Sequence, residues 1–388
     1  MTVGCPKLFR KRTTKGASQI AMIARIICVF LFVGLSLGAA PYCCADEGEA
    51  SPNAVPVTGE TSPEFEPLDR IVLEAIATVD CQSATAAVSR GGRLLYSQGY
   101  GWKDQERTVL VPPDALLRIA SVTKPFTAAA VKNAVREGRL SYEDRPFELL
   151  DIPLPPDAER MTEELDQITV RQLLAHEGGW DRDASFDPMF RVAEIRRTLG
   201  LGEDVEPVDV VRYMLTQPLQ FMPGEQSSYS NFGYCVLGRL LEHTFDKPYH
   251  ECIQESVLVP LELNDVLLGR NNASERHERE VWHPIDDDAF DLNVMDAHGG
   301  LIASANDVCR FLDAYWISGE PRETGQSQTW TFFGSLPGTT AMVRQHKDGW
   351  NVVILMNGRR GAKWKEDAAW MRTSVDEWLD SKTVQTVP

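Results

Sequence analysis

Leu117-Arg118-Ile119-Ala120-Ser121-Val122-Thr123-Lys124-Pro125-Phe126-Thr127-Ala128-Ala129-Ala130 is the stretch that decides how this chain is read. It carries Ser121-x-x-Lys124 at the head of an alanine-rich run. The pattern predicts a helix from about Ser121 to Glu137, stopped by Gly138. On such a helix, residues three apart share a face. A serine hydroxyl is a poor nucleophile until a base takes its proton, and a lysine one turn away can do that if its amine is neutral. The helix start adds backbone N–H groups that favour developing negative charge. A short spacing also arises by chance, so its weight depends on what surrounds it.

Outward from this stretch, the two ends of the chain read as strands. Thr85–Arg90 and Arg93–Tyr100, joined by Gly91-Gly92, predict a β-hairpin. Thr329–Gly334, Thr339–Gln345 and Trp350–Met356 are three further β-rich runs, the last two joined by Lys347-Asp348-Gly349. Residues 139–290 are mostly helical in pattern, with helices expected at Val170–His176, Val208–Thr216, Asn231–Thr244 and Tyr249–Val257. Ser304-Ala305-Asn306-Asp307 predicts a capping box opening a helix to about Ile317. A final amphipathic helix is expected over Glu366–Leu379. The fold class is therefore α/β. One antiparallel sheet, from about 66–120 and 320–388, is flanked by helices, with a mostly helical part inserted at about 121–319.

The first 45 residues hold six basic side chains and no acidic ones. The basic stretch to Lys15, the apolar run Ile26–Ala40 and the small residues before Asp46 predict a signal peptide over 1–45, cleaved after Ala45. An uncleaved membrane anchor is the alternative. Residues 46–65 are acidic and rich in Pro, Ser and Gly, and predict a flexible linker before a body that starts near Glu66. Export to a secreted or periplasmic location follows from the leader.

The net charge is -17, and removing the six leader charges leaves the rest at -23. That excludes the basic footprint needed for nucleic acid and is read otherwise as solubility. Four of the eight Cys fall in the leader; Cys81, Cys235, Cys252 and Cys309 in the body lack the spacing of a zinc or redox site.

A second signal lies at Pro223-Gly224 followed by Ser228-Tyr229-Ser230-Asn231. At a helix start, Tyr229 and Asn231 can project from a loop tip. Beside a Ser–Lys pair, a tyrosine can relay a proton, and an asparagine can hold the lysine amine or a substrate amide. The structural alternatives are a half-buried aromatic for Tyr229 and a helix N-cap for Asn231.

Taken in order, these segments resemble the serine β-lactamase and penicillin-binding protein superfamily, on the branch of class C β-lactamases, D-Ala-D-Ala carboxypeptidases and related esterases. Leu117–Ala130 looks like its nucleophile helix and Leu173–Trp180 (LLAHEGGW) like its L-L-x-H-x-x-G segment. Tyr229-Ser230-Asn231 looks like its Y-S-N element. Val259-Pro260-Leu261, Gly299–Ser304 with Asp307, and Gly334–Gly338 (GSLPG) with Trp350–Asn357 match later segments. The resemblance covers about 70–388 and implies a β-lactamase/transpeptidase-like fold.

It also implies catalysis by Ser121 as acylated nucleophile, Lys124 as base and Tyr229 as proton-transfer partner. Asn231 would orient Lys124 and the substrate amide. Gly334 and Ser335 would lie on the substrate-binding edge strand, the N–H near Ser335 joining that of Ser121 in an oxyanion hole. No metal or organic cofactor is implied. A small-molecule or cell-wall peptide substrate is, with membrane contact only if the leader is retained.

One departure matters. The resemblance places K-T-G or H-x-G where this chain has Phe332-Phe333-Gly334. The glycine is kept and the cation is lost, which shifts weight from carboxylate-bearing β-lactam and D-Ala substrates toward uncharged esters or amides. The interval between Gly300 and Phe332 is also short. His298 could mimic H-x-G but lies too early, before a helix. His176 reads as a structural loop residue, and Trp180 as either cleft lining or core. Two rivals to a hydrolase are an inactive homologue that binds peptidoglycan or another envelope component, and a membrane-anchored interaction protein.

Overall fold

A computed structural model describes residues 54–155, 158–202, 204–284, 290–323 and 328–384, with nothing said of the side chains at 383 and 384. The expected signal peptide and the first part of the expected linker lie outside the described residues.

In chain order, the strands are β1 (Val57–Thr58), β2 (Ser83–Arg90), β3 (Arg93–Gly101), β4 (Leu117–Arg118), β5 (Val266–Leu268), β6 (Leu301–Ala303), β7 (Trp330–Leu336), β8 (Thr339–Gln345) and β9 (Trp350–Met356). Six of them form one antiparallel sheet in the order β1-β3-β2-β9-β8-β7. The two ends of the chain meet at β2 and β9, where Ala84 pairs with Met356 and Arg90 with Trp350.

Alternation along these strands explains why they read as nearly continuous apolar runs. Ala84, Ala86, Val88, Val352 and Ile354 pack in one apolar cluster with Leu68, Val72 and Ile76 of the helix Glu66–Val79 and with Met371, Val375 and Leu379 of the helix Trp364–Val384. Ala87, Val353 and Leu355 point the other way, into the larger core shared with Phe311, Phe126 and the helical region. Each fully buried Leu, Val or Ile contributes about 1.5–3 kcal/mol. The sheet is therefore a two-sided wall.

The helical region lies against the second face. Its helix Thr123–Arg136 packs on Asn231–Phe245 and on the short turn Asp296–Gly299. The helix Ala305–Ala314 packs on β2 and β9.

Several expectations are corrected. The linker does not run to residue 65: Val57–Thr58 adds to the sheet edge opposite Tyr100 and Gly99, and Phe65 is buried. The division at 120/121 and 319/320 is also too simple. Glu66–Val79 is a helix within the expected sheet region, and β6, within the expected helical region, pairs with both β4 and β5 as a small second sheet. Three-residue strands carry too little alternation to be read in advance.

The helix expected to run to Ile317 ends at Ala314. Its N-cap is Ser304 as expected, accepting from the Asp307 N–H, but the Ser304 N–H donates to the Asp265 carbonyl at 3.0 Å and not back to Asp307. The Asp307 carboxylate accepts instead from the Asp265 N–H at 2.8 Å, tying the helix to the small sheet. Tyr249–Ile253 passes into a π-helical turn, Gln254–Leu258. The four body cysteines are free thiols, three of them buried. No helix among the described residues is long and apolar enough to cross a membrane.

Candidate active site

Ser121 does not start the helix; it lies in a 3-10 turn, Ala120–Val122, and the α-helix begins at Thr123. The turn places Ala120 at φ 47°. A left-handed conformation costs about 1–2 kcal/mol for a residue with a Cβ. Ser121 is half-buried in this turn, while Lys124, one turn on, is almost fully buried.

Strand β7 closes against this turn at Gly334. A Cβ at Gly334 would stand 2.1 Å from the Ile119 carbonyl oxygen, so a glycine is required for the approach. That contact brings the backbone around Ser335 beside the turn that holds Ser121, where a second oxyanion donor would be needed. Phe332 shares the Gly334 face by alternation and packs on the larger core, whereas Phe333 packs on the other. A bare aromatic ring thus stands on the site side where the resemblance implies a cation.

The loops that carry Tyr229 and Asn231 are stitched to the LLAHEGGW segment. Gly224 N–H donates to the Glu177 carbonyl at 2.8 Å and Ser228 N–H to the His176 carbonyl at 2.9 Å. Ser230 N–H donates to His176 Nδ1 at 3.2 Å. The His176 ring packs on Tyr229 and Tyr234, with centroids 4.7 and 5.1 Å away. Burial lowers the His176 pKa to about 4, so its ring stays neutral and keeps accepting. Its role is structural. Trp180 is core, edge-on to Phe232 at 4.6 Å. The helix cap belongs to Ser230, which accepts from Gly233 N–H at 3.1 Å and leaves Asn231 free for other work.

These elements bring four side chains together. Tyr229 O–H donates to Ser121 Oγ at 2.8 Å. Lys124 Nζ lies 3.4 Å from Ser121 Oγ, 2.7 Å from Asn231 Oδ1 and 2.7 Å from the His298 carbonyl oxygen. The last two are acceptors only. A neutral amine has two hydrogens and one lone pair, so donating to Asn231 and His298 leaves the lone pair for Ser121. Burial pushes the Lys124 pKa well below its ordinary value, Asp187 opposes that shift and Arg182 adds to it. Burial also raises Tyr229 to about 12, which keeps it a neutral phenol able to donate. The arrangement can deprotonate Ser121 into Lys124 while Tyr229 holds a proton in reserve.

His298 enters in a way its side chain did not suggest. It is the backbone carbonyl that touches Lys124, while the ring is buried and its Nε2 has no hydrogen-bond partner among the described residues. Sequence reasoning missed Asp187 and Arg182. Asp187 Oδ2 accepts from Asn231 Nδ2 at 2.6 Å, and Arg182 Nη1 lies 3.5 Å from the same oxygen. Nothing in the periodicity marks either. The one local signal is Asp187 before Pro188, where its side chain accepts from Met189 N–H and caps a short 3-10 turn.

The Beta-lactamase family model matches residues 68–373. Among curated relatives, Protein flp of Staphylococcus aureus strain MRSA252 is 26% identical over 218 residues, which is 56% of this chain and 41% of that protein. The chain thus spans less than half the length of that relative. Among solved structures, D-amino acid amidase from Ochrobactrum anthropi SV3 matches with TM-score 0.64 at 19% identity, covering 84% of this chain and 100% of that one. The octameric penicillin-binding protein homologue from Pyrococcus abyssi matches with TM-score 0.59 at 21% identity, covering 75% and 73%. At such identities these two likenesses establish the fold.

Proposed function

The chain belongs to the Beta-lactamase family, within the serine β-lactamase and penicillin-binding protein superfamily, and on that premise we propose that it hydrolyses an ester or amide through a Ser121 acyl-enzyme. The observation that carries this reading is Ser121 Oγ held between Lys124 Nζ and Tyr229 OH, with acceptors at Asn231 and His298 for both hydrogens of a neutral Lys124 amine. Ser121 Oγ bonds to the carbonyl carbon as its proton passes to Lys124. The C–O or C–N bond then breaks, and the leaving group takes a proton from Tyr229, which recovers one from Lys124. A water repeats the sequence on the acyl-enzyme and releases the acid. Backbone N–H groups at Ser121 and near Ser335 would stabilise the oxyanion; one such donor is worth about 10²–10³ in rate.

The substrate class follows from Phe332. Without a cation on β7, the part of the substrate beside the edge strand is uncharged, which favours simple esters and amides over β-lactams or D-Ala-terminated peptides. The D-amino acid amidase likeness supports an amide as one such class. The basic-then-apolar leader supports export to a secreted or periplasmic location. Phe332 also favours a second reading, an inactive homologue that binds peptidoglycan or another envelope component. Incubation with a fluorescent fluorophosphonate, a fluorescent penicillin and a chromogenic ester separates the two. Labelling or turnover lost in Ser121→Ala supports the hydrolase. No reaction with any of the three contradicts it.

A further inference from the structure

The Asp187 carboxylate stands one amide away from the base. Asn231 Nδ2 donates to Asp187 Oδ2 at 2.6 Å, and Asn231 Oδ1 accepts from Lys124 Nζ at 2.7 Å. This amide has no freedom to turn, because Asp187 takes only donors and so fixes which end faces Lys124. The same bridge exposes the lysine to a negative charge that would hold a proton on it. A protonated Lys124 cannot accept from Ser121. Burial is the larger influence against that proton, and a positive charge beside Asp187 would add to it.

Arg182 is placed to do so. Its guanidinium lies 3.5 Å from Asp187 Oδ2 and 4.8 Å from the centre of the Tyr229 ring. Lys124 Nζ lies 4.8 Å from the centre of that same ring. The Arg182 side chain keeps 39% of its exposure, against 13% for Asp187.

No other described side chain around Lys124 supplies a balancing charge. Tyr229 and Tyr234 are held as neutral phenols by burial, and His176 and His298 as neutral imidazoles. Ser121 and Asn231 are uncharged. Arg239, behind His298, is paired with Asp296 and Glu242. Among the described residues, Asp187 and Arg182 remain as the charges that reach the base.

We propose that Arg182 is the counterweight to Asp187: it offsets the carboxylate that reaches Lys124 through Asn231, and so helps burial keep the base unprotonated. Both are positioning residues acting through Asn231, and neither is a substrate contact. The proposal rests on the acyl-enzyme reading for its consequence, though not for its measurement. Asp187 supplies the attraction that lets Lys124 take the Ser121 proton, and Arg182 limits it so that the amine is free beforehand.

The test follows Lys124 itself. In protein labelled with ¹³Cε-lysine, the Lys124 resonance is assigned by its loss in Lys124→Met and titrated in wild type, Arg182→Lys, Arg182→Gln, Arg182→Glu and Asp187→Asn. Arg182→Lys is expected to titrate as wild type. Arg182→Gln is expected to titrate about one unit higher, as for one neighbouring charge removed, and Arg182→Glu higher still. Asp187→Asn moves the opposite way. The pH at which fluorophosphonate labelling of Ser121 rises should follow the same order.

An unchanged Lys124 titration in both Arg182→Gln and Arg182→Glu would overturn the proposal, even if KM rose for anionic substrates as expected of a substrate contact. Shifts of the same sign on removing Arg182 or Asp187 would also overturn it. Ordered titration shifts without Ser121 labelling would uphold the balance and overturn the acyl-enzyme reading instead.

Discussion

In the six-stranded sheet, Ala86, Val352 and Ile354 face the terminal helices, and Ala87, Val353 and Leu355 face the helical region. In the seam beside it, Lys124 and Asn231 are buried, Tyr229 and Asp187 are half-buried, and hydrogen bonds link them with Ser121. The two regions differ in what burial does. In the sheet, burial is the source of stability, and each side chain is replaceable at a cost set by its size. In the seam, burial works against the charge on Lys124 and so makes the amine a base. One region spends nothing on chemistry; the other holds an ionisable group where an apolar one would fit.

Lys124→Met should show the contrast most strongly. Loss of a positioned general base is expected to cost about 10²–10⁴ in the rate of Ser121 labelling. Methionine removes the desolvated amine, yet leaves Asn231 Oδ1 and the His298 carbonyl without that donor. These terms oppose each other, so thermal unfolding should move little. A fall in stability as large as that of a core truncation would break the distinction.

Leu355→Ala should do the reverse. Truncating a fully buried leucine costs about 2–5 kcal/mol. The unfolding midpoint should drop clearly in a calorimetric scan, while the labelling rate per folded molecule, measured below that midpoint, stays at the wild-type value. A labelling rate that falls with the Leu355 side chain would mean that the sheet tunes the seam.

What was legible in the sequence follows the same division. Ser121-x-x-Lys124 and Tyr229-x-Asn231 are local patterns at the starts of helices, so their spacing survives in the chain order. Asp187 and Arg182 reach the seam from a loop, and only the fold brings them to Asn231. The His298 carbonyl carries no residue-type signal at all. Asn231 was open to a capping role because Ser230 and Asn231 are both good N-cap residues, and the hydrogen bond to Gly233 decides for Ser230. The long strands were readable as apolar runs, while Val57–Thr58 was hidden among prolines and glycines. The helix Glu66–Val79 did carry a signal, since Leu68, Val72, Ala75, Ile76 and Val79 recur at helical spacing.

The smallest of these effects is expected at the edge where the two regions touch. Phe332→Lys restores a cation on the site face of β7. It should favour a carboxylate-bearing ester over its matched neutral analogue by about tenfold in kcat/KM, the size of one charge-assisted contact. Equal changes for both substrates would show that Phe332 does not face the substrate.

The most direct measurement is the pH dependence of fluorophosphonate attachment, with the adduct located by peptide mass spectrometry. A neutral buried Lys124 as base requires a single adduct on Ser121. Its rate should rise with pH through one step well below the ordinary lysine pKa, because deprotonation of Lys124 activates the serine. An adduct on another residue, or a Ser121 rate that rises only in the ordinary lysine range, would contradict it.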